Sequence, residues 1–207
     1  MRIDNSIMSI NTDNDYVYKY YKKKGIVDKF LYENLTDYPV DLSYKYNLTP
    51  NVLTTISLVL QYSAVQMLYL NYRLSYFLLY VLGYYFDCID GPMARRYNMV
   101  TTFGDFYDHS TDVFCYILSV NYYINYLNLL DNPVITSVYA FLFMCLMKHV
   151  GCQEKIFNSN LKNKKEISMT LYLPVLMVGN AEKEMRYFKH TGFTVFVLFH
   201  SIIPLLI

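Results

Sequence analysis

Four carboxylates lying between two apolar runs are the residues of this chain best suited to chemistry. The stretch reads Asp87-Cys88-Ile89-Asp90-Gly91-Pro92-Met93-Ala94-Arg95, then an eight-residue spacer, then Gly104, Asp108 and Asp112 at steps of four. Helical residues three or four apart share a face. Asp87 and Asp90 therefore point one way at the end of one predicted helix, and Asp108 and Asp112 do so at the start of the next. A short turn between the two helices brings all four into one volume. Four like charges near a bilayer stay ionised together only if cations compensate them. Oxygen-only ligands favour Mg²⁺, Mn²⁺ or Ca²⁺ over Zn²⁺. A pair of such cations, about 3.5–4 Å apart and bridged by carboxylates, clamps a diphosphate and offsets charge on both attacking and leaving oxygens.

The residues beside the acids suit that chemistry. Gly91 and Ala94 leave room for a nucleotide to lie against the helix, and Arg95 offers a planar fork that holds a phosphate bidentately. Gly104, one turn before Asp108, permits close approach of a helix or a substrate. A small residue taken singly is more often a packing residue; the fixed spacing with four acids reverses that. Pro92 removes a helix donor and is expected to bend the chain after Gly91. Asp105 reads as a solvated loop carboxylate rather than a ligand.

The elements that must position these residues are read from hydropathy. The chain of 207 residues is 54% hydrophobic and 17% charged, against about 25% charged in ordinary soluble domains. Six apolar segments follow a polar N-terminal stretch: Asn51–Leu70 after Pro50, Leu74–Phe86 running into Asp87, Asp108–Leu130, Pro133 to about Lys148, Ile167–Val178, and Thr191–Ile207. A span needs about 20 residues, and Ile167–Val178 is only about half as long, so it is expected to be tilted or re-entrant. The fold class expected is all-α: a polytopic integral membrane protein of about six transmembrane helices with an N-terminal interfacial segment. A buried soluble helical core is the competing reading, but so many apolar segments leave too little polar surface to clothe them.

Residues 1–49 form the first region and 50–207 the membrane domain. The first region has no early apolar core, so no secretory signal peptide is expected. Lys19, Lys22, Lys23 and Lys24 among Tyr16, Tyr18, Tyr20 and Tyr21 suit an anionic membrane surface. Val27, Phe30, Leu31 and Leu35 form the apolar stripe of a short interfacial helix, with a solvated tail as the alternative. The 24 tyrosines, with no tryptophan, fit interfacial anchors. Four cysteines in or beside apolar runs (Cys88, Cys115, Cys145, Cys152) have neither disulfide nor zinc spacing and read as small buried hydrophobes. A net charge of +1 gives no case for nucleic acid.

With the N-terminus and the 87–112 turn on one side of the membrane, 14 of the 18 basic residues share that side. The other four, Arg73, Lys183, Arg186 and Lys189, lie opposite. The positive-inside rule then puts the aspartates on the cytosolic face of a multi-pass protein; the organelle is unreadable.

The acid-bearing stretch also resembles a known signature. CDP-alcohol phosphotransferases (the CDP-alcohol phosphatidyltransferase family) carry D-x2-D-G-x2-A-R-x7,8-G-x3-D-x3-D, and Asp87 to Asp112 matches every fixed position over 26 of the 207 residues. Thr49-Pro50-Asn51, leading into the first apolar run, is similar to that family as well. The resemblance implies transfer of a phospho-alcohol or phosphatidyl group from a CDP-alcohol to an acceptor hydroxyl with release of CMP, a reaction of phospholipid biosynthesis using two divalent cations, Mg²⁺ or Mn²⁺. It implies Asp87, Asp90, Asp108 and Asp112 as metal ligands, Gly91, Ala94 and Arg95 as nucleotide contacts, and Asp112 as the base that deprotonates the acceptor. It further implies CDP-alcohol, lipid or polar alcohol as substrates, membrane lipids as surroundings and a possible homodimer.

His109, Lys148 and Gln153 are acceptor-pocket candidates, with His149 and Glu154 nearby, against a reading as ordinary packing or interfacial residues. His109 follows Asp108 but points about 100° away on a helix. His190 and His200 read as structural. Three other functions compete. A divalent-cation transporter predicts acids near the bilayer midplane, whereas these lie at segment ends beside Arg95 and Arg96. An intramembrane prenyltransferase generally has more helices and two separated aspartate motifs. A catalytically inactive membrane scaffold does not need an intact set of four aspartates.

Overall fold

The computed structural model describes residues 35–160, 172–188, 190 and 192–207. The stripe Val27, Phe30 and Leu31 and the basic tyrosine-rich run before it lie outside the described residues. Among the described residues the structure is helical and holds no strand: α1 (Asp37–Lys45), α2 (Pro50–Tyr69), α3 (Arg73–Arg96), α4 (Thr102–Tyr126), a 3-10 turn (Leu129–Asp131), α5 (Pro133–Asn160), α6 (Tyr172–Leu176), α7 (Ala181–Phe188) and α8 (Phe193–Leu206).

The long helices begin and end for local reasons. Proline at the first position of α2 costs nothing, because that N–H has no intrahelical partner. The first four helices each end two residues before an asparagine in the left-handed region: Asn47, Asn71, Asn98 and Asn128, with φ of 57°, 63°, 55° and 49°. Asparagine tolerates that conformation better than most residues with a side chain. At three of these ends the next amide reaches back five residues: Leu48 to Ser43, Tyr72 to Met67, and Met99 to Ala94, at 3.0, 2.8 and 2.8 Å. These closures reverse the chain tightly, so α2, α3 and α4 run up and down beside one another. Helix α3 continues through Pro92 for a further turn, so the expected bend does not end the helix.

Two helices are long and apolar enough to cross a membrane, Pro50–Tyr69 and Pro133–Ile156. Helices α7 and α8, bent by 43° at their junction, make a third if taken as one span. Helices α3 and α4 have the length, at 24 and 25 residues, but their tyrosines and acids lower the hydropathy. Among the described residues, two or three helices are thus candidate spans by length and composition, where six were expected over the whole chain. Of the segment expected over Ile167–Val178, residues 167–171 lie outside the described residues, and the described part holds the five-residue α6.

Side-chain contacts also correct the expected placement of α7. Lys148 of α5 pairs with Glu184 of α7 at 2.9 Å, and His149 donates from Nδ1 to the Phe188 carbonyl at 3.0 Å. Lys148 and Lys155 also donate to the carbonyls of Met177 and Val178, satisfying acceptors left open at the end of α6. Helix α7 thus lies against the C-terminal part of α5. Helix α8 then runs antiparallel to α3: Tyr84 meets Thr194 at 2.7 Å, and Arg73 reaches the Pro204 carbonyl at 3.0 Å. Lys183 and Arg186 therefore share the end of the bundle that holds the acids, not the opposite one. Of the eight described basic residues, seven (Lys45, Arg95, Arg96, Lys148, Lys155, Lys183, Arg186) lie at that end and Arg73 lies at the other. The expectation counted a crossing from hydropathy before Lys183, whereas the contacts of α7 with α5 keep it at the acidic end.

The core at the other end is built largely of tyrosine. Tyr76, Tyr80, Tyr84, Tyr123 and Tyr139 are buried with Phe196 and Val197, where membrane-surface anchoring was expected of tyrosines. Exposed ones such as Tyr38, Tyr46, Tyr72 and Tyr126 remain free for that role. The buried hydroxyls find partners: Tyr76 and Tyr123 lie 2.5 Å apart, Tyr123 donates to the His200 carbonyl at 2.8 Å, and Tyr139 is 2.9 Å from His200 Nδ1. His200 is structural as expected, and all four cysteines are buried and in the thiol form rather than in disulfides.

Candidate active site

The acids sit where the α3–α4 hairpin closes. The turn after Asn98 delivers Thr101 in an extended conformation, and its side chain accepts the Gly104 amide at 2.9 Å, starting α4. Asp87 and Asp90 occupy the last turns of α3, and Asp108 and Asp112 the second and third turns of α4. One oxygen each of Asp87, Asp90 and Asp108 lies within 4.8 Å of the other two. Asp90 is buried, and its Oδ2 accepts the Thr54 hydroxyl at 2.5 Å. Asp87 and Asp108 face each other across the hairpin, and the Oδ1 atom of each is buried without a partner.

These residues fit a divalent cation. Three carboxylates crowded together repel one another, and a buried oxygen without a donor costs about 1–3 kcal/mol or more when charged. A cation bound by oxygens removes both penalties, and the all-oxygen donor set suits a hard ion.

Asp112 stands outside this trio. It is near enough to Asp90 and Asp108 to interact electrostatically, and the Gln61 side chain of α2 lies close to its carboxylate. Gln61 in turn donates to Ser57 Oγ at 3.0 Å. Arg95 folds back along α3, so that a Cβ on Gly91 would lie 3.0 and 3.2 Å from its terminal nitrogens. The space expected for a nucleotide against Gly91 is thus shared with the Arg95 fork, which interacts with both Asp90 and Asp108. Ala94 is half-buried on the same stretch. At Gly104 the close approach is that of a helix: an added Cβ would be 3.0 Å from Asn51 Oδ1 and 2.9 Å from Thr101 Oγ1.

The acceptor candidates divide. His109 donates from Nδ1 to the Asp105 carbonyl at 2.8 Å, and the same nitrogen lies 3.8 Å from both Asp108 Oδ2 and Asp105 Oδ1. It is therefore beside the acids. Asp105 belongs to the first turn of α4, where a negative charge suits the helix N-terminus, and it is not a loop residue. Lys148 and Gln153 hydrogen-bond within the α5–α7 region, Gln153 through the buried His149 at 2.7 Å, and neither hydrogen-bonds an aspartate of the hairpin.

Sequence reasoning passed over Thr54, Ser57 and Gln61. Their signal was present: three polar residues at steps of three and four in the apolar run Asn51–Leu70, which places them on one helix face.

The profile of the CDP-alcohol phosphatidyltransferase family matches residues 47–203. The chain belongs to that family. Its members are transferases that use divalent cations, which agrees with the acidic trio at the hairpin. The chain is also 42% identical over 83 residues to an uncharacterized protein of Aquifex aeolicus (strain VF5), a stretch covering 40% of this chain and 42% of that protein. The chain thus matches about two-fifths of that curated relative's length. No solved structure matches the chain.

Proposed function

We propose that this member of the CDP-alcohol phosphatidyltransferase family transfers a phospho-alcohol or phosphatidyl group from a CDP-alcohol to an acceptor hydroxyl and releases CMP, as a step of phospholipid biosynthesis. The observation that carries the reading is the acidic trio, with Asp90 buried and one oxygen each of Asp87 and Asp108 buried without a partner, set beside Arg95. Two divalent cations, Mg²⁺ or Mn²⁺, held there would neutralise the diphosphate and the charge developing on the leaving oxygen. Asp87, Asp90 and Asp108 hold that site, and Arg95 grips a phosphate oxygen pair from above Gly91. Asp112 takes the proton of the acceptor hydroxyl as its oxygen attacks the β-phosphorus. The new P–O bond forms as the bond from the β-phosphorus to the bridging oxygen breaks, and that oxygen departs with CMP.

The excess of Lys and Arg at the acidic end supports a multi-pass protein with this site facing the cytosol. Cysteines placed at Arg186 and Lys45 should then be labelled from one side of a sealed vesicle, and one at Arg73 from the other.

Turnover is measured as CMP release by the full chain in lipid micelles with Mg²⁺ or Mn²⁺. CDP-diacylglycerol is offered with a panel of polar alcohols, and CDP-choline or CDP-ethanolamine with diacylglycerol. Metal-dependent CMP from one pair, lost in Asp112→Asn, establishes the reaction and its substrates. Folded, metal-binding protein that yields no CMP from any pair overturns the reading.

A further inference from the structure

Helix α2 carries polar side chains that nothing in its role as an apolar span requires. Thr54, Ser57 and Gln61 are 2%, 2% and 5% exposed, and all three face inward toward α3 and α4. Polar groups buried in a membrane helix are costly and are retained where they act. The Thr54 hydroxyl has one hydrogen and two nearby acceptors, Asp90 Oδ2 at 2.5 Å and the Pro50 carbonyl at 3.2 Å. The shorter contact is to the carboxylate. The Gln61 amide has two hydrogens: Ser57 takes one at 3.0 Å, and Asp112 lies within reach of the other.

Gly83 of α3 holds this arrangement from behind. A Cβ there would lie 2.7 Å from Gln61 Cγ, 3.1 Å from the Ser57 carbonyl and 3.2 Å from the Gln61 backbone nitrogen. The two backbones thus close directly on the stem of Gln61. Ser57 tethers its side-chain amide at 3.0 Å, which leaves the second amide hydrogen for Asp112 nearby.

We infer that the buried polar stripe of α2 is a positioning element that divides the acids, Thr54 fixing Asp90 within the cation-binding trio and Gln61 fixing Asp112 for proton transfer. The roles given to Asp90 and Asp112 rest on the transferase reading above. A carboxylate with one oxygen pinned by a neutral donor keeps its other oxygen aimed at its partner, a cation in one case and an acceptor hydroxyl in the other.

The test compares Thr54→Val, Thr54→Ser and Gln61→Met in the full chain, by the electron paramagnetic resonance signal of free Mn²⁺ and by CMP release. Thr54→Val should weaken Mn²⁺ binding about 10- to 100-fold, with Thr54→Ser restoring it. Gln61→Met should leave Mn²⁺ affinity within about threefold and lower kcat about 10- to 100-fold at unchanged donor KM. Thr54→Ala and Gln61→Leu replace either variant that fails to fold. Equal loss of Mn²⁺ affinity in the Thr54 and Gln61 variants overturns the division, as does wild-type affinity in both. Wild-type protein that binds Mn²⁺ but forms no CMP defeats the transferase reading alone; the Mn²⁺ comparison still decides the division.

Discussion

At one end of the bundle Tyr76, Tyr123, Tyr139 and His200 bury their polar atoms against one another; at the other, Asp87 and Asp108 each bury a carboxylate oxygen against nothing. The tyrosine end leaves one side-chain atom unpartnered among the described residues, the neutral ring nitrogen His200 Nε2. The acidic end leaves two oxygens that carry charge when ionised, inside a cluster of like groups. Paired polar atoms hold helices in register and nothing more need be asked of them. Unpaired and mutually repelling ones raise the energy of the empty fold, and a ligand that pairs them recovers it.

The sharpest way to break that comparison is to exchange consequences between the ends. Asp112→Asn removes the proton acceptor and should lower CMP formation about 10²- to 10⁴-fold with little change in melting temperature. If the loss came with unfolding, the acidic end would be structural like the other. A second measurement adds the ligand. Mn²⁺ at 100 times its Kd should stabilise the wild type by about 2.7 kcal/mol. Asp87→Asn should abolish that increment while making the metal-free protein more stable, because one like charge is gone. Thermal unfolding with and without Mn²⁺ reads both. A metal-free variant less stable than wild type would show that the trio is not under repulsion.

The converse holds at the tyrosine end. Tyr123→Phe takes away the group that meets Tyr76 at 2.5 Å and donates to the His200 carbonyl at 2.8 Å. It should cost about 1–3 kcal/mol of stability, and kcat should not move. A fall in kcat at unchanged stability would join the two ends into one functional unit.

The acidic hairpin was legible because its information is local: helical spacing of two acids on each side of a short turn, with Gly91 and Arg95 between. The residue that makes the turn was not read, since asparagine rather than glycine supplies the left-handed position at Asn98. Five of the expected apolar segments correspond to α2, α3, α4, α5 and α8, because length and hydropathy suffice for those. The stretch around α6 and α7 was misplaced, because whether a short apolar run crosses or turns back depends on contacts distant in sequence, here Lys148 with Glu184 and Gly151 against Pro174. Thr54 and Gln61 belong to the same class of omission: a polar residue in an apolar run is informative only once its partner, 36 residues away for Thr54 and Asp90, is known. The tyrosines fell to a third cause. Composition cannot distinguish a ring at the membrane surface from one in a core whose hydroxyl has found an acceptor.

The weakest expected effect lies outside both ends of the comparison, where α1 packs on the end of α3. Arg96 pairs with Asp37 and with Asp41, the latter at 2.7 Å, but its side chain is 37% exposed and the two carboxylates 62% and 59%. Water screens such pairs, so Arg96→Ala should cost no more than about 1 kcal/mol. Tyr97 also donates to Asp41 at 2.8 Å and stacks on Tyr44 with ring centroids 3.6 Å apart. Burial and the Asp41 carboxylate push its hydroxyl up to about 12, so it keeps its proton at neutral pH. Beneath them Val40 is fully buried against Leu53, Ile89 and Met93. Val40→Ala should therefore destabilise more than Arg96→Ala, and high salt should shrink the Arg96 effect while leaving the Val40 effect intact. Should Arg96→Ala prove the more damaging at low salt and lose that lead at high salt, α1 would be held by charge, and its docking on the signature helix would belong with the acidic end after all.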